Sequence, residues 1–268
     1  MAAAPKSRVS DLIGNRPLSA RSVLASALLG ADQARLSVSA LVAMASLFGI
    51  SDGAARTCLW RMVSSGELTA ADGYYTLAGH LLERRERVDE ASRIEDARRW
   101  DGTWELAIVS LERRPAADRL ELRKAATALH LAELREGVWI RPDNLDPQRL
   151  PASRAILDRQ CTHFHNAATD ITADKMPALF SLDAWMTDAK LLTEAMDAEL
   201  KRGSRDDSTE SMRYEFALSI AVVRHLQLDP MLPDELTPKH WPGHTLRSVY
   251  RRFDGAFKRR INEFLRQS

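Results

Sequence analysis

The 268-residue sequence carries almost no net charge: 38 Lys and Arg stand against 37 Asp and Glu, a formal +1 at pH 7. No overall basic field draws such a chain to nucleic acid, so any footprint of that kind is local. Cysteine is scarce too. Cys58 and Cys161 are far apart in sequence and suggest no disulfide framework, which points to a reducing cytoplasm. No run of about 18 apolar residues occurs, so no membrane span is expected. The opening MAAAPKSRVSDLIGNRP holds no apolar run of signal-peptide length. A glycine-rich phosphate loop, a Gly-x-Ser-x-Gly elbow and a His-Glu-x-x-His pair are all missing. Asp, His and Ser stand at no spacing that links them into a nucleophile triad. The sequence therefore offers no catalytic signature and implies no cofactor.

What is present is globular texture, with 45% hydrophobic and 28% charged residues, at a length suited to two or three compact units. Residues 1–17 are small and polar and read as a flexible arm. SARSVLASALLG (19–30) reads as a helix closed by Gly30. Ser37 is positioned to cap a second helix carrying Val38, Leu41, Val42, Ala45 and Phe48 at helical spacing, closed by Gly49. Ser51 caps a third, whose Ala55, Cys58, Leu59, Met62 and Val63 make one apolar stripe. ELTAADGYYTL then reads as a hairpin turning at Asp72-Gly73. Three helices followed by a hairpin is the order of a winged helix-turn-helix.

Residues 80–99 are dense in both signs of charge and read as an exposed helical connector held by ion pairs. Beyond Trp100, apolar strands at 103–111, 137–142 and 161–168 alternate with helical pattern, suggesting a small ferredoxin-like α/β domain. From Asp174 the chain reads as helical, with an amphipathic helix over 179–201 that ends at Gly203. A polar loop follows at 203–211 and a largely apolar helix at 212–228. DPMLPDELTPKHWPG is too rich in proline to stay helical. The last helix places Leu246, Val249, Tyr250, Phe253, Phe257, Ile261 and Phe264 on one face.

The third helix carries the most chemistry. If its stripe is buried, Arg56, Thr57 and Trp60 face outward with Arg61 at the margin. A helix fits the DNA major groove, where Arg donates two hydrogen bonds to guanine O6 and N7. Thr and Ser suit phosphate oxygens or base edges. Ser51 stands at the helix start, where backbone amides favour a phosphate, and Tyr74 or Tyr75 on the hairpin would lie against the sugar-phosphate backbone. Local charge agrees: through residue 66, Lys6, Arg8, Arg16, Arg21, Arg35, Arg56 and Arg61 face Asp11, Asp32 and Asp52, an excess of +4. The same pattern also suits a solvent-facing helix with Trp60 packed on a neighbouring domain, or a protein-interaction module.

Two other groups compete. Cys161, His163 and His165 alternate along one strand and would share a face, which makes them candidate zinc ligands for a metal sensor or hydrolase. They equally fit a buried cysteine with polar sheet neighbours. In the C-terminal part, Trp185, Tyr214 and Trp241 with Arg213 and Arg224 would suit an anionic aromatic ligand, or would be core.

RSVLASALLG, LFGISDGAARTCLWRMVSSGEL, YYTLAG, RRWDGTWELAIV and LDPMLPDELTPKHWPG together resemble, in this order, the PaaX family of bacterial transcriptional repressors. The resemblance implies a mainly helical protein with an α+β part. A winged helix-turn-helix over 19–80 and a charged connector over 81–99 would precede a Cas2-like ferredoxin-fold dimerisation domain over 100–172. A helical effector-binding domain would occupy 173–268. It implies a cytoplasmic repressor of an aromatic-degradation operon, binding operator DNA as a homodimer. Release would follow binding of an aromatic compound or its CoA thioester. On this reading Ser51, Arg56, Thr57, Trp60, Arg61 and Tyr74 meet DNA, and Trp185, Arg213, Tyr214, Arg224 and Trp241 meet the effector. Trp60 stands where the family pattern has a small polar residue, and Leu228 where it has Arg before Asp-Pro.

Overall fold

The computed structural model describes residues 5–14, 17–92, 99–203 and 208–267. The chain divides into two compact units. One gathers residues 1–89, 190–224 and 248–268; the other gathers 90–189 and 225–247.

In the first unit, helices α1 (Pro5–Ile13), α2 (Ala20–Gly30), α3 (Val38–Leu47) and α4 (Asp52–Ser64) are joined by three short strands, β1 (Arg35–Ser37), β2 (Leu68–Ala71) and β3 (Tyr74–Leu77). Each of α2, α3 and α4 starts at an extended serine whose hydroxyl accepts a first-turn amide: Ser19 from Ser22, Ser37 from Ala40 and Ser51 from Ala54. Caps of this kind contribute about 1 kcal/mol each. Between α3 and α4 the chain reverses through Gly49, whose φ of +70° suits glycine. The β2–β3 hairpin turns through Asp72 and Gly73, both at positive φ, as a two-residue turn with matching twist requires. The strands pair in the order β1-β3-β2, all antiparallel.

One apolar core serves this unit. Leu24, Leu28, Leu41, Met44, Leu59 and Met62 meet Leu77 of the hairpin and Leu81 of α5 (His80–Ser92). Met212 and Phe216 of α10 (Thr209–Leu226) and Phe257 of α11 (Gly243–Gln267) complete it. Phe48, at the turn after α3, packs on Phe216 with ring centroids 5.2 Å apart. Arg213 of α10 donates to the Leu47 carbonyl at the end of α3.

The second unit holds β4 (Trp104–Val109), α6 (Ala116–Ala128), β5 (Ala132–Arg135), β6 (Val138–Pro142), α7 (Pro151–Gln160) and β7 (Cys161–Ala167). Its antiparallel sheet runs β5-β6-β4-β7. With α6 and α7 in their places in the chain, that is the ferredoxin-like arrangement. On one face Ala107, Trp139 and Cys161 pack with Leu122, Ala126 and Leu157 of the two helices. A separate cluster joins Trp104 and Ile140 to Met176, Leu182 and Leu236, from α8 (Met176–Leu179), the start of α9 (Leu182–Arg202) and a short 3-10 turn.

The fold is thus mainly α with an α+β part, as expected, but several local readings change. The supposed arm at 1–17 contains α1, with Pro5 as its first residue, where a missing N–H costs nothing. The 80–99 segment is not an exposed connector over its described part: Leu81 is fully buried, Ala91 is buried, and Arg85 donates to the carbonyls of Leu29 and Ala31 at the end of α2. Residues 93–98 of that segment lie outside the described residues. The helix expected over 179–201 is interrupted, because Ser181 takes a φ of +53° between α8 and α9. Thr209 already begins α10, so the polar loop at 203–211 is shorter than expected; residues 204–207 lie outside the described residues. Strand β5 was not anticipated.

Candidate nucleic-acid interface

Helix α4 has two faces. Ala55 and Leu59 are fully buried and Met62 nearly so, which locks the apolar stripe into the core. Cys58 and Val63 are half-buried at its edge, and burial pushes the Cys58 thiol up, so it remains an unreactive neutral group. Arg56, Thr57, Arg61 and Ser64 are exposed, and Trp60 is 67% exposed. Trp60 thus offers its indole to solvent on the same face as the two arginines.

The face is prepared rather than loose. Ser51 Oγ accepts the Ala54 amide at 3.3 Å, so this hydroxyl is already engaged in holding the helix start. Arg56 donates through Nε to Asp52 one turn earlier, and that carboxylate raises the guanidinium further above its ordinary value. Arg56 therefore stays charged at any physiological pH and is held along the helix axis. At the hairpin, Tyr74 is 42% exposed and Arg35 of β1 lies over its ring, 4.1 Å from the centroid. Such a cation–π pair orders both side chains. Sequence reasoning missed Arg35; the register that sets β1 beside β3, pairing Leu36 with Tyr75 and Ser37 with Tyr74, is a long-range fact.

A salt bridge supports this head from behind. Arg21 of α2 binds both oxygens of Glu67, at 3.0 and 2.6 Å, just after α4. Glu67 is 9% exposed, and Arg21 holds its carboxyl below the usual range. Replacing Arg21 would leave the Glu67 carboxylate, whose side chain is 12% exposed, without its partner at the base of the hairpin.

The expected effector residues are distributed between the units. Trp185 and Trp241 belong to one and stack face to face, centroids 4.3 Å apart at 15°. His225 stacks on Trp185 as well, at 4.6 Å, and Trp185 Nε1 donates to the His225 carbonyl. Arg213, Tyr214 and Arg224 belong to the other unit. Arg213 is engaged with Leu47, Tyr214 is half-buried, and Arg224 is exposed. Asp229, two residues before Met231 in the proline-rich stretch, forms a buried 2.7 Å ion pair with Arg247, and Gly243 leaves no room for a Cβ beside it.

Of the zinc candidates, Cys161 is buried in the sheet–helix core and its thiol is pushed up by burial. The rings of His163 and His165 stack 6.1 Å apart, and His163 Nε2 lies 3.1 Å from Asp158. Among the described residues no three His, Cys, Asp or Glu side chains gather as a metal site. Nor is any described helix long and apolar enough to cross a membrane.

Three family models match the chain in sequence order. The PaaX-like protein model covers residues 19–81, the PaaX protein central Cas2-like domain covers 97–175, and the PaaX-like protein C-terminal domain covers 182–267. Among solved structures, the chain is similar to the uncharacterized protein Rv0674 from Mycobacterium tuberculosis. The two are 36% identical over 92% of this chain and 98% of that one, with a TM-score of 0.68. No curated protein matches.

Proposed function

The chain belongs to the PaaX family, a group of phenylacetic-acid-operon regulators, and from that premise we propose that it is a ligand-responsive repressor binding operator DNA as a homodimer. The winged helix-turn-helix comprises residues 19–80, with α4 as the recognition helix and the β2–β3 hairpin as the wing. The Cas2-like domain at 100–172 joins the protomers, and the helical residues 173–268 sense the effector. The protein works in the cytoplasm without a cofactor.

One observation carries this reading. The outward face of α4 presents Arg56, Thr57, Trp60 and Arg61 to solvent while its other face is sealed in the core. A dimer offers two such helices, suiting half-sites about one helical turn or a multiple apart. Arg56 is assigned the bidentate guanine contact, Arg61 and Thr57 phosphate or base-edge contacts, and Tyr74 a backbone contact at the wing.

The effector is an aromatic acid or its CoA thioester, and its contacts are assigned to the stacked Trp185 and Trp241. Trp185 already carries two stacking partners, His225 and Trp241. An aromatic ligand taking a stacking place there would displace Trp241. Release from DNA requires that the ligand prefer the DNA-incompetent state, since equal affinity for both shifts nothing.

The test is a gel-shift of the full chain on its own upstream DNA, titrated with aromatic acids and their CoA thioesters. Arg56→Ala is expected to weaken operator binding about ten- to a hundred-fold and to relax base preference at one position per half-site. Full operator affinity and selectivity in that variant, at fixed salt, would refute the assignment.

A further inference from the structure

A cleft of about 640 Å³ opens beside α4, within the first compact unit. Its walls come from three elements far apart in sequence: the exposed side of α3 with Ser39, the first turns of α4 with Asp52 and Arg56, and the last turns of α11 with Asn262, Leu265 and Arg266. Ala40 and Ala43 line α3 here, and their short side chains keep the cleft open.

The polar inventory is uneven. Asp52 is the cleft's one carboxylate and is already bound to Arg56. The Ser37 and Ser39 hydroxyls pair with each other at 2.9 Å, and the Ser46 hydroxyl donates to the Ala43 carbonyl. Asn262 and Arg266 are exposed and have no hydrogen-bond or ion-pair partner among the described residues. What the cleft offers a ligand is therefore a guanidinium and an amide on α11, next to a second guanidinium on α4. Leu265 is its one large apolar side chain from α11. That lining is poor for a small aromatic ligand, whose sites are mostly apolar, and good for a chain of phosphates.

Position decides which phosphates. When a two-helix unit reads duplex DNA, its first helix crosses the backbone while the second enters the groove. Here α3 is that first helix, and the end of α11 borders its exposed side. We propose that the C-terminal turns of α11 belong to the DNA interface, with Arg266 bound to a backbone phosphate flanking the bases read by α4. Asn262 donates its amide to the same stretch of backbone. The contact is blind to sequence and adds affinity and register, not base choice. This rests on the operator-binding function proposed above.

Anisotropy titrations of the full chain, on its upstream DNA and on an unrelated duplex, across a salt series, test it. Arg266→Ala is expected to weaken binding to both duplexes by a similar factor. It should also make the slope of log K against log salt shallower by about 0.9 per protomer engaged. Asn262→Ala should weaken both without changing the slope. Arg119→Ala, which removes an exposed cation from α6, is the control for overall charge, and matching melting curves establish that the variants are folded. If the parent protein binds its upstream DNA and Arg266→Ala keeps the parental slope and affinity, the inference is overturned. A loss confined to the upstream DNA would overturn the phosphate assignment as well. If the parent protein binds no duplex, the failure lies with the repressor reading itself.

Discussion

Gly243 and Gly255 lie on the same helix, α11, yet the same substitution should act in opposite directions at the two. Alanine replacing glycine within a helix stabilises by roughly 0.5–1 kcal/mol where its methyl has room. At Gly255 an added Cβ meets only Arg259 Nη1 at 3.7 Å, an ordinary contact. At Gly243 it would stand 2.5 Å from Trp241 Nε1, 2.9 Å from Asp229 Oδ2 and 3.0 Å from Arg247 Nη1. The last two atoms are the ends of an ion pair whose side chains are 3% and 7% exposed. They cannot retreat into water, and the indole is held in its stack with Trp185. Overpacking costs about 1–3 kcal/mol, and removing one partner of a buried pair costs about 3–5 kcal/mol. Wedging this pair apart falls between them, at about 2–4 kcal/mol. At roughly 2–4 °C per kcal/mol for a chain of this size, Gly243→Ala should melt on the order of 5–15 °C lower. Gly255→Ala should melt slightly higher. Thermal unfolding by circular dichroism, with tryptophan fluorescence as second probe, reads both. A Gly243→Ala melting point at or above the parent would refute the crowding argument.

Arg85→Met leaves the carbonyls of Leu29 and Ala31 without their donor and should cost about 1–3 kcal/mol in denaturant unfolding; an unchanged midpoint would show that water replaces the guanidinium. Burial holds His130 well below its ordinary pKa, helped by Arg149, Arg141 and Arg247, and holds His225 lower despite Asp188 and Asp229. The unfolded chain takes up these protons near pH 6.5 and the folded one only at lower pH. Stability should therefore fall as pH drops below about 6.5, by up to about 1.4 kcal/mol per pH unit for each histidine; His225→Gln should flatten the curve, and an unaltered profile would count against it. Asp52→Asn frees Arg56 and removes a negative charge from the DNA-facing side. Tighter binding to all duplexes with weaker base preference is expected in anisotropy titrations, and unaltered preference would show that the carboxylate does not aim the arginine.

Much of the first unit is legible because its signals are local. Serines at positions 19, 37 and 51, Gly49, and the Asp72-Gly73 pair each act within a few residues, and each sits where expected. The alternation of strands and helices in the second unit is legible for the same reason. Strand β5 is not, because only its first residue is buried and the next three, Glu133, Leu134 and Arg135, face outward. The break at Ser181 has no sequence cue, since no glycine or asparagine marks the left-handed residue. Nor does the strand pattern at 137–142 reveal that Arg141 is 1% exposed. Its guanidinium is held by the carbonyls of Leu129 and Pro142 and by Asn144 Oδ1, and burial lowers its pKa to about 9. Least legible is the membership of the units: α10 and most of α11 share a core with α2–α4, and no periodicity reports which helices meet.

The same division runs through the candidate interface. The exposed face of α4 follows from its apolar stripe, and the Asp52–Arg56 pair follows from a spacing of four residues. Arg35 on Tyr74, and Arg266 beside α3, depend on sheet register and on packing from the far end of the chain. Their physical roles differ accordingly. An exposed pair one turn apart on a helix is among the weakest interactions in a folded protein, whereas a bidentate arginine–guanine contact is among the stronger ones at a base edge. On the proposed reading, Asp52 can therefore hold Arg56 in the free protein and yield it to a guanine without a large penalty. On that reading Arg56 gains nothing at a duplex without guanine there, so its selectivity equals the guanine hydrogen bonds less the small cost of releasing the exposed ion pair.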